Sequence, residues 1–227
     1  MARAAFFDLD KTILDTSSNV ALSGPFIEAG LMTRRTAIAS VLVQLPYLLA
    51  GADESRMEQM AEAMGRMGRG WNAAFLEATV EDALERTIAP VCYAQALRRI
   101  AYHKSIGDVV VIASASVEEV VRPIATMLGA DEVLASKAAV DDDGCFTGEV
   151  IHFNQAQGKA DACAQLARMR GWDLSQCSAY SDSVSDAPLL RLVGHPYAVN
   201  PDRALREMAE REGWPTLTFS STVRVLP

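Results

Sequence analysis

The chain has 227 residues, half of them hydrophobic, and a net charge of −8. That length holds one ordinary domain, or a core with a smaller insert, and it buries a proper core. The hydrophobic share excludes a disordered chain. The acidic balance excludes a nucleic-acid partner, because no lysine and arginine cluster could neutralise a run of phosphates.

In chain order, the first predicted element is a buried strand over Ala4–Phe7, running directly into Asp8, Asp10 and Thr12. No basic stretch or cleavage site precedes it, so no signal peptide is expected. Residues 16–90 hold no convincing strand and several helical stretches. The longest apolar run, 37–51, contains Gln44 and Pro46 and is too short to span a bilayer. It reads as a buried helix or helix pair, with no stable membrane insertion. Met57, Met60, Met64 and Met67 recur at spacings of three and four and mark one helix face. That stripe is a core face, or else a pliable surface turned to a substrate. A second helix is expected over 71–88.

Beyond residue 90 strands and helices alternate, which implies a parallel sheet covered on both faces. Val109–Ala113 reads as a strand ending at Ser114. A helix over 116–129 is predicted to open with a capping box, Ser116 with Glu119, and to close at Gly129. Residues 140–151 read as a hairpin turning at Asp143-Gly144. Lys159 follows Gly158 at the start of a helix that ends at Gly171. A strand over Cys177–Tyr180 leads into "SDSVSD", with Asp182 and Asp186. A last strand, Tyr197–Val199, precedes a helix with Pro201 in its first turn and Gly213 at its close. The four scattered cysteines lack a CxxC pair and the three histidines are equally scattered. Zinc is therefore not expected, and reduced thiols in a cytoplasmic protein are.

Ligands bind beyond the C-terminal strand ends of such a sheet. Asp8, Asp10, Asp182 and Asp186 would meet there with Ser114, Lys159 and a helix N-terminus. Four carboxylates in one cleft cannot all stay ionised without a cation, and an all-oxygen set suits Mg²⁺. Ser114, Lys159 and the helix end offer an anion site opposite. A metal, a phosphate cradle and spare carboxylates describe phosphoryl transfer. Each acid taken alone would be an ordinary cap or turn residue.

The motifs "DLDKT", "VVIAS", "GKADA" and "YSDSVSDAPLL", in that order and over nearly the whole chain, resemble those of the haloacid dehalogenase-like (HAD) superfamily. The helical insert resembles the C1-type cap of subfamily IB, which is related to phosphoserine phosphatases. The resemblance implies an α/β, Rossmann-like core of residues 1–15 and 91–227, with an all-helical cap of residues 16–90. It implies that Asp8 is the nucleophile, forming an aspartyl-phosphate, and that Asp10 is the general acid and base. Mg²⁺ would be bound by the Asp8 side chain, the Asp10 backbone carbonyl and Asp182, with Asp186 orienting that shell. Thr12, Ser114 and Lys159 would bind phosphate. The substrate would be a small phosphorylated metabolite.

Two departures bear on that substrate. Ser17 stands where phosphoserine phosphatases carry a glutamate for the substrate amine, and Ala115 and Ser116 replace two glycines. The expected substrate is a phosphomonoester other than phosphoserine, with fairly broad selectivity and an apolar portion; Arg34, Arg35 and Arg56 could anchor a carboxylate or a second phosphate. Phosphoserine itself, phosphotransfer to an acceptor other than water, and a non-catalytic binding module stand as alternatives. The oligomeric state is not legible.

Overall fold

The computed structural model describes residues 3–33 and 54–223. The expected helix or helix pair at 37–51, together with Arg34 and Arg35, lies outside the described residues, as do the side chains of Arg56, Met57 and Met60. Seven strands, β1 (Ala4–Phe7), β2 (Val109–Val117), β3 (Glu132–Val140), β4 (Phe146–His152), β5 (Ser178–Ser181), β6 (His195–Val199) and β7 (Thr216–Leu217), form one sheet in the order β4-β3-β2-β1-β5-β6-β7. Neighbouring strands are parallel except β3 and β4. The chain steps from β1 to one side for β2 and β3, then returns to the other for β5 and β6. That reversal opens a crevice beyond the end of β1.

Helices cover both faces, as the alternating pattern predicts. They are α1 (Ser18–Ala21), α2 (Ser23–Glu28), α3 (Glu54–Gly68), α4 (Ala73–Ala83), α5 (Ala94–Ser105), α6 (Glu118–Met127), α7 (Gln157–Arg170), α8 (Ala187–Leu192) and α9 (Arg203–Glu212). The side chains of β1 alternate between two cores. Ala5 and Phe7 join Val110, Ile112 and Tyr180 beneath α4 and α6, while Ala4 and Phe6 join Val111 and Ala179 beneath α7, α8 and α9. Two buried faces explain why β1 reads as one apolar run. Burying Phe6 and Phe7 contributes ~1.5–3 kcal/mol each. Phe7 stacks on Tyr180, and Tyr180 on Tyr197, at centroid separations of 4.4 and 4.7 Å across three paired strands.

Several expected boundaries move. β2 continues to Val117, so Ser116 lies in the strand and caps no helix; α6 opens at Glu118 after Val117, without a side-chain cap. The capping box fails because β2 carries Ser116 past the helix start, which puts Glu119 in the second helical position, while the Ser116 hydroxyl donates to the Asp10 carboxylate. Pro201 stands outside α9: Asp202 is the N-cap, its carboxylate accepting from the Leu205 N–H at 2.7 Å. The hairpin forms, but its first strand begins at Glu132 and its loop spans Asp141–Cys145, with Gly144 at a φ of 75°. The short strand β7 was not expected; it is an edge strand of two residues, below what periodicity can register.

α3 lies against β4, and Gly65 sets how closely. A Cβ on Gly65 would sit 2.1 Å from the Gly148 carbonyl oxygen, whereas one on Gly68 would meet only Phe146, at 3.8 Å. Gly65→Ala should therefore destabilise the protein by about 1–3 kcal/mol through overpacking. Gly68→Ala should be neutral or stabilise by up to ~1 kcal/mol through helix propensity. Urea midpoints at constant m-value report both changes; equal midpoints for the two variants would contradict this packing.

Candidate active site

The acids meet where the crevice predicts. The Asp8 N–H donates to the Tyr180 carbonyl at 3.0 Å, extending the β1–β5 ladder one residue and aiming the Asp8 side chain off the strand end. Lys159, the third residue of α7, is buried and donates to Asp8 Oδ1 at 2.7 Å and to Asp186 Oδ2 at 2.8 Å. Ser181, the last residue of β5, donates to the same Asp186 oxygen at 2.7 Å. The other oxygen, Asp186 Oδ1, is buried without a partner.

Asp10 is held apart from this group. Its Oδ1 accepts the Ser18 N–H at 2.6 Å, at the start of α1, and its Oδ2 accepts the Ser116 hydroxyl at 3.4 Å. From Asp10 onward the chain makes a tight turn. Lys11 takes a φ of 59°, costly for a residue with a Cβ, and its N–H is held by the Thr16 carbonyl. Ser114 is buried at the cleft wall, and its hydroxyl accepts the Ser116 N–H at 3.1 Å. The expected anion cradle at a helix N-terminus is thus displaced, because α6 starts farther along and carries Glu118 and Glu119 in its first turn.

Thr12 differs from its expected part. It is fully buried, donates to Asp182 Oδ1 at 3.3 Å and is not among the residues lining the cleft. Its hydroxyl faces the Asp182 carboxylate rather than the cleft.

The sequence reading missed Asn154. From Ala113 to Val117, β2 advances four residues while β3 advances two, from Leu134 to Ser136. Such a bulge frees carbonyls at the Ser114–Ser116 wall. Asn154, fully buried, fills it: its side-chain N–H groups donate to the Ser114 and Leu134 carbonyls, both at 2.9 Å. Its own N–H donates to Ser136 Oγ, which donates to the Ala115 carbonyl. A lone asparagine after a hairpin carries no sequence signal for this role. Ala156, just before α7 at a φ of 49°, is a second strained residue beside the cleft.

The electrostatics are those of a site short of positive charge. Burial, with Asp186 and Asp10 adding repulsion, raises Asp8 from its ordinary 3.8 to about 7 despite Lys159. Burial, then Asp8 and Asp186, raises Asp182 well above its ordinary value. Burial also raises Asp10, against the hydrogen bonds from Ser18 and Ser116. Among the described residues no three His, Cys, Asp or Glu side chains are arranged as a metal cluster. The set expected for Mg²⁺ needs fewer, two carboxylates and the Asp10 carbonyl, and Mg²⁺ keeps several waters. The residues fit such a cation: the donors are all oxygen, Asp8 and Asp182 stay raised despite the lysines acting on them, and Asp186 Oδ1 is an orphaned acceptor beside them.

These residues line a cleft of about 270 Å³ together with Ser17, Asn19, Met64 and Gln155. A larger cavity, about 660 Å³, lies between α5 and the β5–β6–β7 side of the sheet, lined by Arg99, Tyr102, Tyr180, Tyr197 and Phe219. It contains none of the clustered acids, and its buried His103 is spent on Asp108 and Tyr180, at 2.8 and 2.9 Å. The clustered acids and Lys159 belong to the smaller cleft.

The model of the haloacid dehalogenase-like hydrolases matches residues 5–191. The chain belongs to that family. This hydrolase is 46% identical to a Streptomyces azureus protein named for inhibition of morphological differentiation, over 98% of the chain and 80% of the relative. It is also 46% identical to a probable phosphatase of Mycobacterium tuberculosis, over 97% of the chain and 76% of the relative. A phosphoserine phosphatase structure holding an analogue of its phospho-aspartyl intermediate superposes with a TM-score of 0.70 at 18% identity, covering 97% of this chain and 94% of that one; the likeness is one of fold.

A carboxylate raised on folding stabilises most below its unfolded value, and that stability is lost as pH rises through the folded value. For Asp8 the window runs from 3.8 to about 7, and Asp182 acts in the same direction. In chelator, the melting temperature should fall as pH rises through this window. Asp8→Asn should flatten part of the slope and melt higher than wild type at pH 8, by an amount of order 1–3 kcal/mol. Excess Mg²⁺ should raise wild type by ~2–3 kcal/mol, by mass action, and raise Asp8→Asn by less. Identical Mg²⁺ responses in the two proteins would remove Asp8 from the cation site.

Proposed function

We propose that this hydrolase is a phosphatase, cleaving a small phosphomonoester with Mg²⁺ through an aspartyl-phosphate on Asp8. The observation that carries the reading is the separate holding of the two acids at the end of β1. Asp8 is ion-paired to Lys159, while Asp10, two residues on, is hydrogen-bonded by Ser18 and Ser116 and makes no ion pair among the described residues. A pair serving one purpose would share one environment; these two are set for different chemistry.

In this reading Asp8 Oδ attacks phosphorus. Lys159 stays anchored by Asp186 and neutralises phosphoryl oxygens, with the Ser114 hydroxyl as a further donor. Asp10, whose burial favours the protonated form, passes a proton to the leaving oxygen and then takes one from the water that opens the acyl-phosphate. A hard divalent cation held by the Asp8 side chain, the Asp10 carbonyl and Asp182 would supply the charge that lets a carboxylate approach a dianion. Thr12 would orient Asp182. The segment 16–90 would act as a cap over a core of 1–15 and 91–227: Ser17, Asn19, Val20 and Met64 line the cleft from that segment. Phosphoserine fits poorly. Ser17 is the N-cap of α1, its hydroxyl accepting from the Val20 N–H, and it offers no carboxylate to an amine.

Leaving-group dependence separates the two acids. Asp8→Asn should lose activity on every ester, by at least ~10⁴-fold. Asp10→Asn should lose ~10²–10⁴-fold on alkyl phosphates and far less on p-nitrophenyl phosphate, whose leaving group needs no proton. Equal losses for Asp10→Asn across leaving groups would refute the assignment of general acid. Phosphate release matched to alcohol formation checks that water is the acceptor.

A further inference from the structure

Beside the catalytic cleft lies a second, drier cavity of about 90 Å³, and the two share Asn19, Met64 and Ser116 as lining. Phe26, Met32, Met67, Trp71, Phe146 and Phe153 wall it. Trp71 meets Phe26 edge to face, with centroids 6.0 Å apart. Among its described lining residues Lys137 alone is charged, and that lysine is largely exposed and pairs with Glu118 at 3.6 Å. Among its described lining residues there is no carboxylate to meet a substrate amine.

The connection to the chemistry is Ser116. Its hydroxyl donates to Asp10 Oδ2, and the same residue stands at the threshold between the two cavities. An oxygen placed to receive a proton from Asp10 lies at that threshold. Whatever carbon body hangs from it has the dry cavity as the adjoining space. The threshold is polar, with Asn19 and Ser116; the space beyond is not.

We propose that this cavity is the leaving-group subsite, and that the substrate is the phosphate monoester of a compact apolar alcohol, a short branched alkyl or a single aromatic ring. The inference rests on the phosphatase reading and adds the substrate class to it. Size supports a compact group: the cavity is well below the ~300–1,000 Å³ of sites for drug-sized ligands, too small for a nucleoside or a long acyl chain. Each methylene buried should raise kcat/KM about fourfold, until the space is full. Met64, which lines both cavities, and Met67 give the walls an adaptable surface.

The test is kcat/KM with Mg²⁺ across methyl, butyl, benzyl, decyl and glycerol phosphates and phosphoserine, in wild type and in Gly68→Leu. Gly68 lines the cavity and has room for a Cβ, so a leucine there grows toward Phe146 and into the space. Wild type should favour butyl and benzyl over methyl phosphate by about 10–100-fold, with decyl, glycerol phosphate and phosphoserine well behind. Gly68→Leu should collapse the benzyl-to-methyl ratio at least about tenfold. A readout without turnover is the fluorescence of Trp71 in chelated protein titrated with benzylphosphonate, with Trp71→Phe as the control; binding should change the wild-type signal and weaken in Gly68→Leu. Measurable hydrolysis with a flat series, or with glycerol phosphate or phosphoserine leading, would overturn the subsite and leave the phosphatase standing. A benzyl preference unchanged in folded Gly68→Leu would also overturn it. Hydrolysis of none of the esters would overturn the phosphatase reading itself. Should Gly68→Leu not fold, the wild-type series decides alone.

Discussion

Lys159 is the cation around which the site is assembled. It is buried, and its ammonium spans the gap between Asp8 at the end of β1 and Asp186 just beyond β5. Burying such an ion is expensive, and only close opposite charges offset it. Here two carboxylates lie within 2.8 Å, so the lysine stays charged. The same contacts tie α7 to the two strands flanking the crevice. Lys159, with Lys11 at the cleft wall, does not neutralise Asp8, Asp182 and Asp186 together, and the surplus appears as raised carboxylates and the orphaned Asp186 oxygen. The protein keeps a deficit of positive charge in a place where a cation and a phosphoryl group would be bound together.

The second requirement is that the wall opposite Lys159 hold its shape. β2 leaves regular pairing at Ser114–Ser116, which turns their hydroxyls toward the cleft and Asp10. A bulge in a buried parallel strand would strand two carbonyls without donors, at ~1–3 kcal/mol each. Asn154 satisfies them from the far side. The irregular strand is therefore stable, and Ser116 can serve Asp10 on one side and the dry cavity on the other. Strain at Lys11 and Ala156 is borne in the same neighbourhood, where the two cores pack the chain tightly enough to hold it.

Much of this was legible in the sequence. An apolar run ending in two aspartates identifies a buried strand feeding a charged crevice, because a strand buried on both faces must be apolar throughout and the chain must become polar where it leaves the sheet. The order of strands and helices gave the layers. Asp8, Asp10, Ser114, Lys159, Asp182 and Asp186 were all named from strand ends and motif resemblance, and all lie at or beside one cleft. What periodicity could not assign was set by contacts distant in sequence. Ser116 looked like a helix cap because a local rule sees only Glu119; the fold brings Asp10 to it across 106 positions. Thr12 was given a phosphate contact by the motif resemblance; the fold turns its hydroxyl to Asp182, 170 positions away. Asn154 had no signal at all, since the carbonyls it satisfies exist only once β2 has bulged against β3. The dry cavity is of the same kind. Met64 and Met67 announced an apolar face, but α3, α4 and the β3–β4 hairpin had to meet before that face could enclose a space beside Asp10. The sequence by itself determined which groups carry charge and where each strand ends; which of those groups touch, and what adjoins them, is decided by tertiary packing, because hydrogen bonds and cavities form between surfaces that only the folded chain brings together.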